Sequence, residues 1–261
     1  MENAFELRDV SAGYSAKSAI LKNITLSVPN GKITAVLGAN GSGKSTLLRV
    51  LSGQLRLSEG ALSVFGQDST KFSRRDFATR IACVVQSRNV PSCTVEELLL
   101  CARFPHKGVF SSYSAADKKI VCDVLNRLSL SDFASRKLST LSGGQRQKVY
   151  IAMALCQDTK ALLLDEPLSF LDIARQFEIM NLLKNIADEG KTVVLVSHDL
   201  TLALEYANKI AVLEHGSLSF SGKPDESAVN ALNSVFDVCA KRVILSDGKP
   251  RFVFSPKSQL F

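Results

Sequence analysis

Residues 38–45 read Gly38-Ala39-Asn40-Gly41-Ser42-Gly43-Lys44-Ser45, the pattern G-x-x-x-x-G-K-[ST]. The apolar run Ile33-Thr34-Ala35-Val36-Leu37 leads into it. Thr46-Leu47-Leu48-Arg49-Val50-Leu51 leads out at helical spacing and stops at Gly53. Strand, glycine-rich turn and helix, in that order, are the setting in which this pattern cradles phosphate. Gly38, Gly41 and Gly43 let successive backbone N–H groups turn inward, and the helix N-terminus adds positive partial charge. Lys44 is placed to reach the β- and γ-phosphates, and Ser45 to offer its hydroxyl to Mg2+; Asn40 and Thr46 complete the candidate contacts. The plain alternative is a glycine-rich turn between a strand and a helix. All eight positions are filled in context, so a nucleoside triphosphate is the expected ligand.

Composition narrows the rest. The chain has 261 residues, 46% of them apolar, enough for one large domain or a domain with a lobe. No run approaches the roughly 20 apolar residues of a membrane span. The start, Met1-Glu2-Asn3-Ala4-Phe5-Glu6, has neither a basic region nor an apolar core, so no secretion signal is read and a cytosolic protein is expected. Six cysteines show no C-x-x-C pair and there are three histidines, which argues against a disulfide framework or structural zinc. The formal charge of +7 could serve nucleic acid, an anionic membrane face or solubility alone. It is spread along the chain without interleaved aromatics, a weak nucleic-acid signal, and no nucleic-acid partner is expected.

Strand-length apolar runs recur at Ile33–Leu37, Ile81–Val85, Ala161–Leu164, Val193–Val196 and Ile210–Leu213. Such runs belong to a parallel sheet covered on both faces, giving an α/β class. Phe5–Val10 and Ile24–Val28 alternate instead, with turns at Gly13 and Pro29-Asn30-Gly31, and predict an antiparallel piece beside the main sheet. Val95–Ala102, Ala115–Leu128 and Gln145–Cys156 carry apolar residues at helical spacing and predict a helical lobe. Arg242–Leu245 and Arg251–Phe254 flank Ser246-Asp247-Gly248-Lys249-Pro250, which predicts a hairpin. The division expected is 1–86 with 157–225 as core, 87–156 as lobe and 226–261 as a C-terminal extension.

Ala161–Leu164 ends in Asp165-Glu166, two carboxylates at the sheet edge where open α/β folds bind ligands. Phosphoryl transfer to water needs an acid linked to the metal and a group that orients the water; Asp165 suits the first and Glu166 the second. Leu141-Ser142-Gly143-Gly144-Gln145 opens a helix with the S-x-x-Q form of a capping box. Two glycines inside a first turn cost about 1 kcal/mol each against alanine, and their return would be close approach to an anion. His198 ends a strand at the same edge. Gln86 ends another, and its amide oxygen suits Mg2+ or water. Tyr14 is an aromatic placed to stack on adenine or simply to fill a turn.

Taken together, Tyr14, Gly38–Ser45, Gln86, Leu141–Gln145, Leu164-Asp165-Glu166-Pro167, Ser169-Phe170-Leu171-Asp172 and His198 resemble the nucleotide-binding subunit of an ABC transporter. The resemblance implies a P-loop NTPase fold of the ABC ATPase kind, ATP and Mg2+ as ligands, and an adenine platform at Tyr14. It further implies a Q-loop at Gln86, a signature motif at Ser142–Gln145, a general base at Glu166, a D-loop at Ser169–Asp172 and a switch histidine at His198. Ala102-Arg103-Phe104-Pro105-His106, Leu171-Asp172-Ile173-Ala174-Arg175-Gln176 and Asp247-Gly248-Lys249-Pro250 are similar to the importers of iron–siderophore, haem and cobalamin. Ala39 and Leu168 replace a more usual proline and threonine, and Met153 a frequent arginine. The implied partners are a second copy forming a head-to-tail homodimer, an integral membrane permease and, indirectly, a substrate-binding protein, at the cytoplasmic face of the membrane. A soluble ABC ATPase acting on a cofactor-assembly scaffold is the alternative. A ribosome- or DNA-directed ABC protein would show tandem cassettes or a coiled-coil insert, and neither is present.

Overall fold

The computed structural model describes residues 2–15, 19–85, 90–107, 112–244 and 250–257. In chain order the strands are β1 (Asn3–Ala12), β2 (Leu21–Pro29), β3 (Ile33–Gly38), β4 (Glu59–Val64), β5 (Gln67–Asp68), β6 (Ile81–Val84), β7 (Ala161–Asp165), β8 (Thr192–Val196), β9 (Lys209–Glu214), β10 (Ser217–Gly222), β11 (Val238–Ile244) and β12 (Pro250–Pro256). The helices are α1 (Lys44–Leu51), α2 (Arg74–Arg80), α3 (Val95–Cys101), α4 (Ala115–Arg127), α5 (Gly143–Cys156), α6 (Ile173–Asp188), α7 (Leu200–Tyr206) and α8 (Glu226–Val235).

The central sheet runs β10-β9-β3-β8-β7-β6. Its inner pairs β9/β3, β3/β8, β8/β7 and β7/β6 are parallel, and only β10 runs antiparallel. Every residue of β3 and β8 is buried, the pattern of strands covered on both sides. Alternation decides which side each side chain serves. Ile33, Ala35 and Leu37 pack with Leu162, Leu164, Val193 and Leu195 among buried residues of α3–α7. Val36, Leu163, Val194 and Val196 point the other way, with Leu47 and Leu48 of α1 and the inner faces of β1, β2 and β4. Each Val, Leu or Ile among them contributes about 1.5–3 kcal/mol on leaving water.

The antiparallel piece is a four-stranded sheet, β2-β1-β4-β5, two strands larger than the alternation near the N-terminus predicts. The expected hairpin lies at β11/β12, paired antiparallel from Val238↔Pro256 to Ile244↔Pro250; residues 245–249 of its turn lie outside the described residues. Helices α3, α4 and α5 pack against each other to form the helical lobe. Capping boxes start α2, α3, α4 and α5, from Ser73/Asp76, Thr94/Glu97, Ser114/Asp117 and Ser142/Gln145. Asp172, Asp199 and Asp225 cap α6, α7 and α8. Among the α-helices of the described residues, α1 alone has no side-chain cap.

Candidate functional site

Register brings the candidate residues to one edge. Val36 of β3 and Asp165 of β7 both lie opposite Val196 of β8, so the three carboxyl ends stop at one level. The phosphate-loop pattern follows β3, Glu166 follows β7, and His198 comes two residues after β8 ends. The bond from Glu166 N–H to the Val196 carbonyl (3.1 Å) and that from Ser197 N–H to the Val36 carbonyl (3.3 Å) lock the three ends together.

The loop itself is shaped for an anion. Gly38, Gly41 and Gly43 have φ of 153°, 77° and 105°, a region that disfavours side chains. A Cβ on Gly38 would stand 2.3 Å from the Leu213 carbonyl oxygen, and one on Gly43 2.8 Å from Leu21 Cδ2. Gly43 occupies the N-cap of α1, with no acidic residue in the first turn. Leu47 N–H is the first to bond back into the helix, to the Gly43 carbonyl at 2.8 Å. The N–H groups of Gly43, Lys44, Ser45 and Thr46 are thus the ones a helix leaves to an outside acceptor. The Ser42 hydroxyl is buried with no partner among the described residues. An uncapped helix end, a cradle closed to Cβ atoms at Gly38 and Gly43 and an orphaned hydroxyl fit a phosphate ligand.

Lys44 is only 6% exposed; its ammonium donates to the carbonyls of Gly38 (2.8 Å) and Ala39 (2.9 Å). Burial pushes its pKa down, opposed by the carboxylates of Glu166 and Asp165. Burial also raises the Asp165 pKa, against a hydrogen bond from Ser45 and the nearby Lys44 charge. Ser45 and Asp165 are therefore neighbours, an oxygen pair suited to Mg2+, which keeps several waters and shares substrate phosphates. Among the described residues no three His, Cys, Asp or Glu side chains form a metal cluster of their own. Gln86, the third expected metal ligand, lies outside the described residues.

Glu166 sits one residue beyond β7 rather than inside it, in a left-handed conformation (φ 51°); Phe170 repeats this at φ 63°. For non-glycine residues that region costs roughly 1–2 kcal/mol each, and such strain collects at functional sites. Ser169 Oγ–H donates to Glu166 Oε2 at 2.9 Å, and His198 Nε2 meets Glu166 Oε1 at 2.5 Å. An ionised carboxylate only accepts, so Nε2 carries the proton. Burial pushes the Glu166 pKa up, but the hydrogen bonds from Ser169 and His198 and the charges of His198 and Lys44 hold it below the ordinary value. The group is thus held as an anion, able to accept hydrogen bonds. Neither the histidine contact nor the serine contact is visible in the sequence, where 32 residues separate Glu166 from His198.

The Ser142–Gln145 capping box forms as its spacing predicts: Gln145 N–H donates to Ser142 Oγ (3.3 Å) and Ser142 N–H to Gln145 Oε1 (2.9 Å). It leaves the two glycines unexplained. A Cβ on Gly143 would meet nothing within 4 Å, and one on Gly144 only ordinary contacts from 3.5 Å. Within this chain an alanine would fit at either position. Tyr14 is 56% exposed; its hydroxyl accepts from Arg49 at 2.9 Å, and that guanidinium lies 5.4 Å from the ring centre.

Comparison with known proteins agrees with this geometry. Residues 21–169, more than half the chain, match the family described as ABC transporter. The iron(3+)-hydroxamate import ATP-binding protein of Bacillus subtilis (strain 168) is 37% identical over 92% of this chain and 90% of its own length. A structure of a metal-chelate type ABC transporter in an inward-facing conformation superposes with a TM-score of 0.85, at 29% identity over 98% of both chains. A dimeric ATP-binding cassette in a post-hydrolysis state, bound to ADP and Pi, gives a TM-score of 0.73 at 29% identity, over 85% of this chain and 99% of that one.

Proposed function

The chain belongs to the ABC transporter family, and on that premise we propose that it energises uptake of a metal chelate: an iron–siderophore complex, haem or a cobalamin-like compound. It is an ATPase that binds ATP with Mg2+ and works as a dimer with a membrane permease. Among the described residues no helix is long and apolar enough to cross a membrane. In this reading, supported by the similarity to import ATP-binding proteins, the working position is peripheral, against the permease at the cytoplasmic face, with a binding protein delivering the cargo. Its similarity to the hydroxamate-import protein and to the metal-chelate transporter supports the cargo class.

The roles follow from the site. Lys44 and the N–H groups of the loop hold the phosphates, with Gly38, Asn40, Gly41 and Gly43 shaping the cradle and Tyr14 carrying the adenine ring. Ser45 and Asp165, with Gln86, hold Mg2+; bound there, it supplies charge neutralisation at the phosphate oxygens. Glu166, kept ionised, orients the attacking water and draws its proton. His198 and Ser169 fix the direction of that carboxylate. Ser142, Gly143, Gly144 and Gln145 serve the nucleotide held by the second copy, which accounts for two glycines that this chain's own packing does not require. We also retain the division into core (1–86, 157–225), lobe (87–156) and C-terminal extension (226–261).

The observation that carries the reading is the uncapped, glycine-lined start of α1 beside the Glu166–His198–Ser169 cluster. The test is reconstitution in vesicles with the permease and binding protein. ATP turnover should rise when the binding protein carries ferric hydroxamate, haem or cobalamin. Co-purification with a soluble scaffold in place of a membrane partner would support the non-transport alternative instead.

A further inference from the structure

The helix α5, whose first turn carries Ser142–Gln145, is tied to the core at both ends. At its C-terminal end the Gln157 amide donates to the carbonyls of Ala78 (2.7 Å) and Ile81 (3.1 Å). Nearer its N-terminal end the tie is ionic. Glu178 of α6 accepts Lys148 of α5 through Oε1 (2.8 Å) and Arg175 of α6 through Oε2 (2.6 Å). The stem of Arg175 lies under the signature turn: a Cβ on Gly144 would stand 3.5 Å from Arg175 Cγ and 3.7 Å from its Cδ. Leu130, Phe133 and Ile179 help to close a cleft of about 210 Å3 around this cluster.

The same helix α6 anchors the Glu166 turn. The Gln176 amide donates to the carbonyls of Leu171 (3.3 Å) and Leu168 (3.5 Å), and Asp172 caps the helix directly after that turn. One helix thus carries both the turn that places Glu166 and the carboxylate that holds α5. The Glu178 and Arg175 side chains are 38% and 59% exposed, and ion pairs that open to water add little stability. What the cluster fixes is direction, because two cations on different helices converge on one carboxylate.

We propose that Glu178 is a positioning residue that, by holding Lys148 and Arg175, sets where this chain presents Ser142–Gly144 to the nucleotide on a second copy. The proposal rests on the shared-site reading above. Misplacing a group by about 1 Å costs up to about a hundredfold in rate, and loosening this cluster is a smaller disturbance.

Glu178→Gln in the full-length dimer should lower ATP turnover about tenfold. Nucleotide binding by its own loop should stay unchanged, and the melting temperature should stay within about 3 °C of wild type. Lys148→Met should match it, and the double variant should be no slower than either single one, as expected of residues in one network. The deciding readout uses verified mixed dimers. In a Glu178→Gln/Lys44→Ala dimer, one site carries both lesions; the other pairs the intact loop of the first chain with the intact signature of the second. Its rate should equal that of a Ser142→Arg/Lys44→Ala dimer and exceed that of the Glu178→Gln homodimer. Normal turnover by Glu178→Gln, or a large fall in melting temperature, would overturn the proposal. So would a mixed dimer that stays as slow as the Glu178→Gln homodimer while the Ser142→Arg mixture recovers, since Glu178 would then act through its own Glu166. No recovery in the Ser142→Arg mixture, together with activity in a wild-type chain paired with a Lys44→Ala/Ser142→Arg chain, would remove the shared-site reading, and this inference with it.

Discussion

Replacing Arg103 by methionine removes a guanidinium that ties the segment after α3 to two helices of the lobe, α4 and α5. Its Nε donates to Asp117 Oδ1 in the first turn of α4 (3.0 Å), and its other arm to the Cys156 carbonyl at the end of α5 (2.7 Å). The two ion-paired side chains are only 8% and 10% exposed. Breaking a buried pair from one side costs about 3–5 kcal/mol. Asp117 keeps the Ser114 hydroxyl (2.7 Å) and N–H (3.0 Å), which places the loss at the lower end, about 3 kcal/mol. For a chain of this size that lowers the melting temperature by roughly 6–12 °C. Acid supplies a second check. Hydrogen bonds from the Ser114 hydroxyl, then from Arg103, draw the Asp117 pKa from an ordinary 3.8 down to about 2. The folded value lies below the unfolded one, so the stabilisation is whole above pH 3.8 and is lost as pH falls through about 2. Denaturant unfolding of wild type and Arg103→Met across pH should show a gap that is widest near neutrality and narrows below pH 3.8. ATP binding at 25 °C, borne by the loop after β3, should persist. A neutral-pH loss under about 1 kcal/mol, or a gap that does not narrow in acid, would refute the reasoning.

Glu166→Gln should leave ATP binding intact and slow turnover by about 10²–10⁴, read by equilibrium binding and phosphate release on the same preparation; near wild-type hydrolysis would remove Glu166 from its role. Gly38→Ala forces a Cβ to 2.3 Å from the Leu213 carbonyl, so calorimetry should find nucleotide affinity at least tenfold weaker, roughly 1.4 kcal/mol. Tyr14→Ala should raise KM for ATP several-fold and leave kcat near normal, because stacking is a binding contact alike in ground and transition states.

What the sequence reveals tracks how local each cause is. The loop, its flanking elements and the strand runs are contiguous patterns, and the sheet follows from them. β4 is harder to read: Glu59-Gly60-Ala61-Leu62-Ser63-Val64 buries only Leu62 and Val64, and Gly60 looks like a turn residue. Gly60 is there because a Cβ would strike the Arg8 and Asp9 carbonyls at 2.5 and 2.4 Å, a crowding created by strand pairing. Helix α2 buries none of its residues, so it carries no apolar period. The residues of the site were legible as types at strand ends. The bond between Glu166 and His198, the Arg103–Asp117 pair and the Lys148–Glu178 link were not, since each joins elements that only the fold brings together.

The central claim is that each hydrolytic site is built from two copies, and one measurement addresses it directly. Lys44→Ala and Ser142→Arg chains carrying different tags are combined, heterodimers are isolated, and ATP turnover is compared with each mutant homodimer. Both homodimers damage every site and should be nearly inactive. In the heterodimer the shared arrangement concentrates both lesions in one site and leaves the other whole, so hydrolysis should return. A wild-type chain paired with a doubly mutated one should be as inactive as the homodimers, because each shared site then carries one lesion. Substantial activity in that last dimer, with none in the first, would contradict the account.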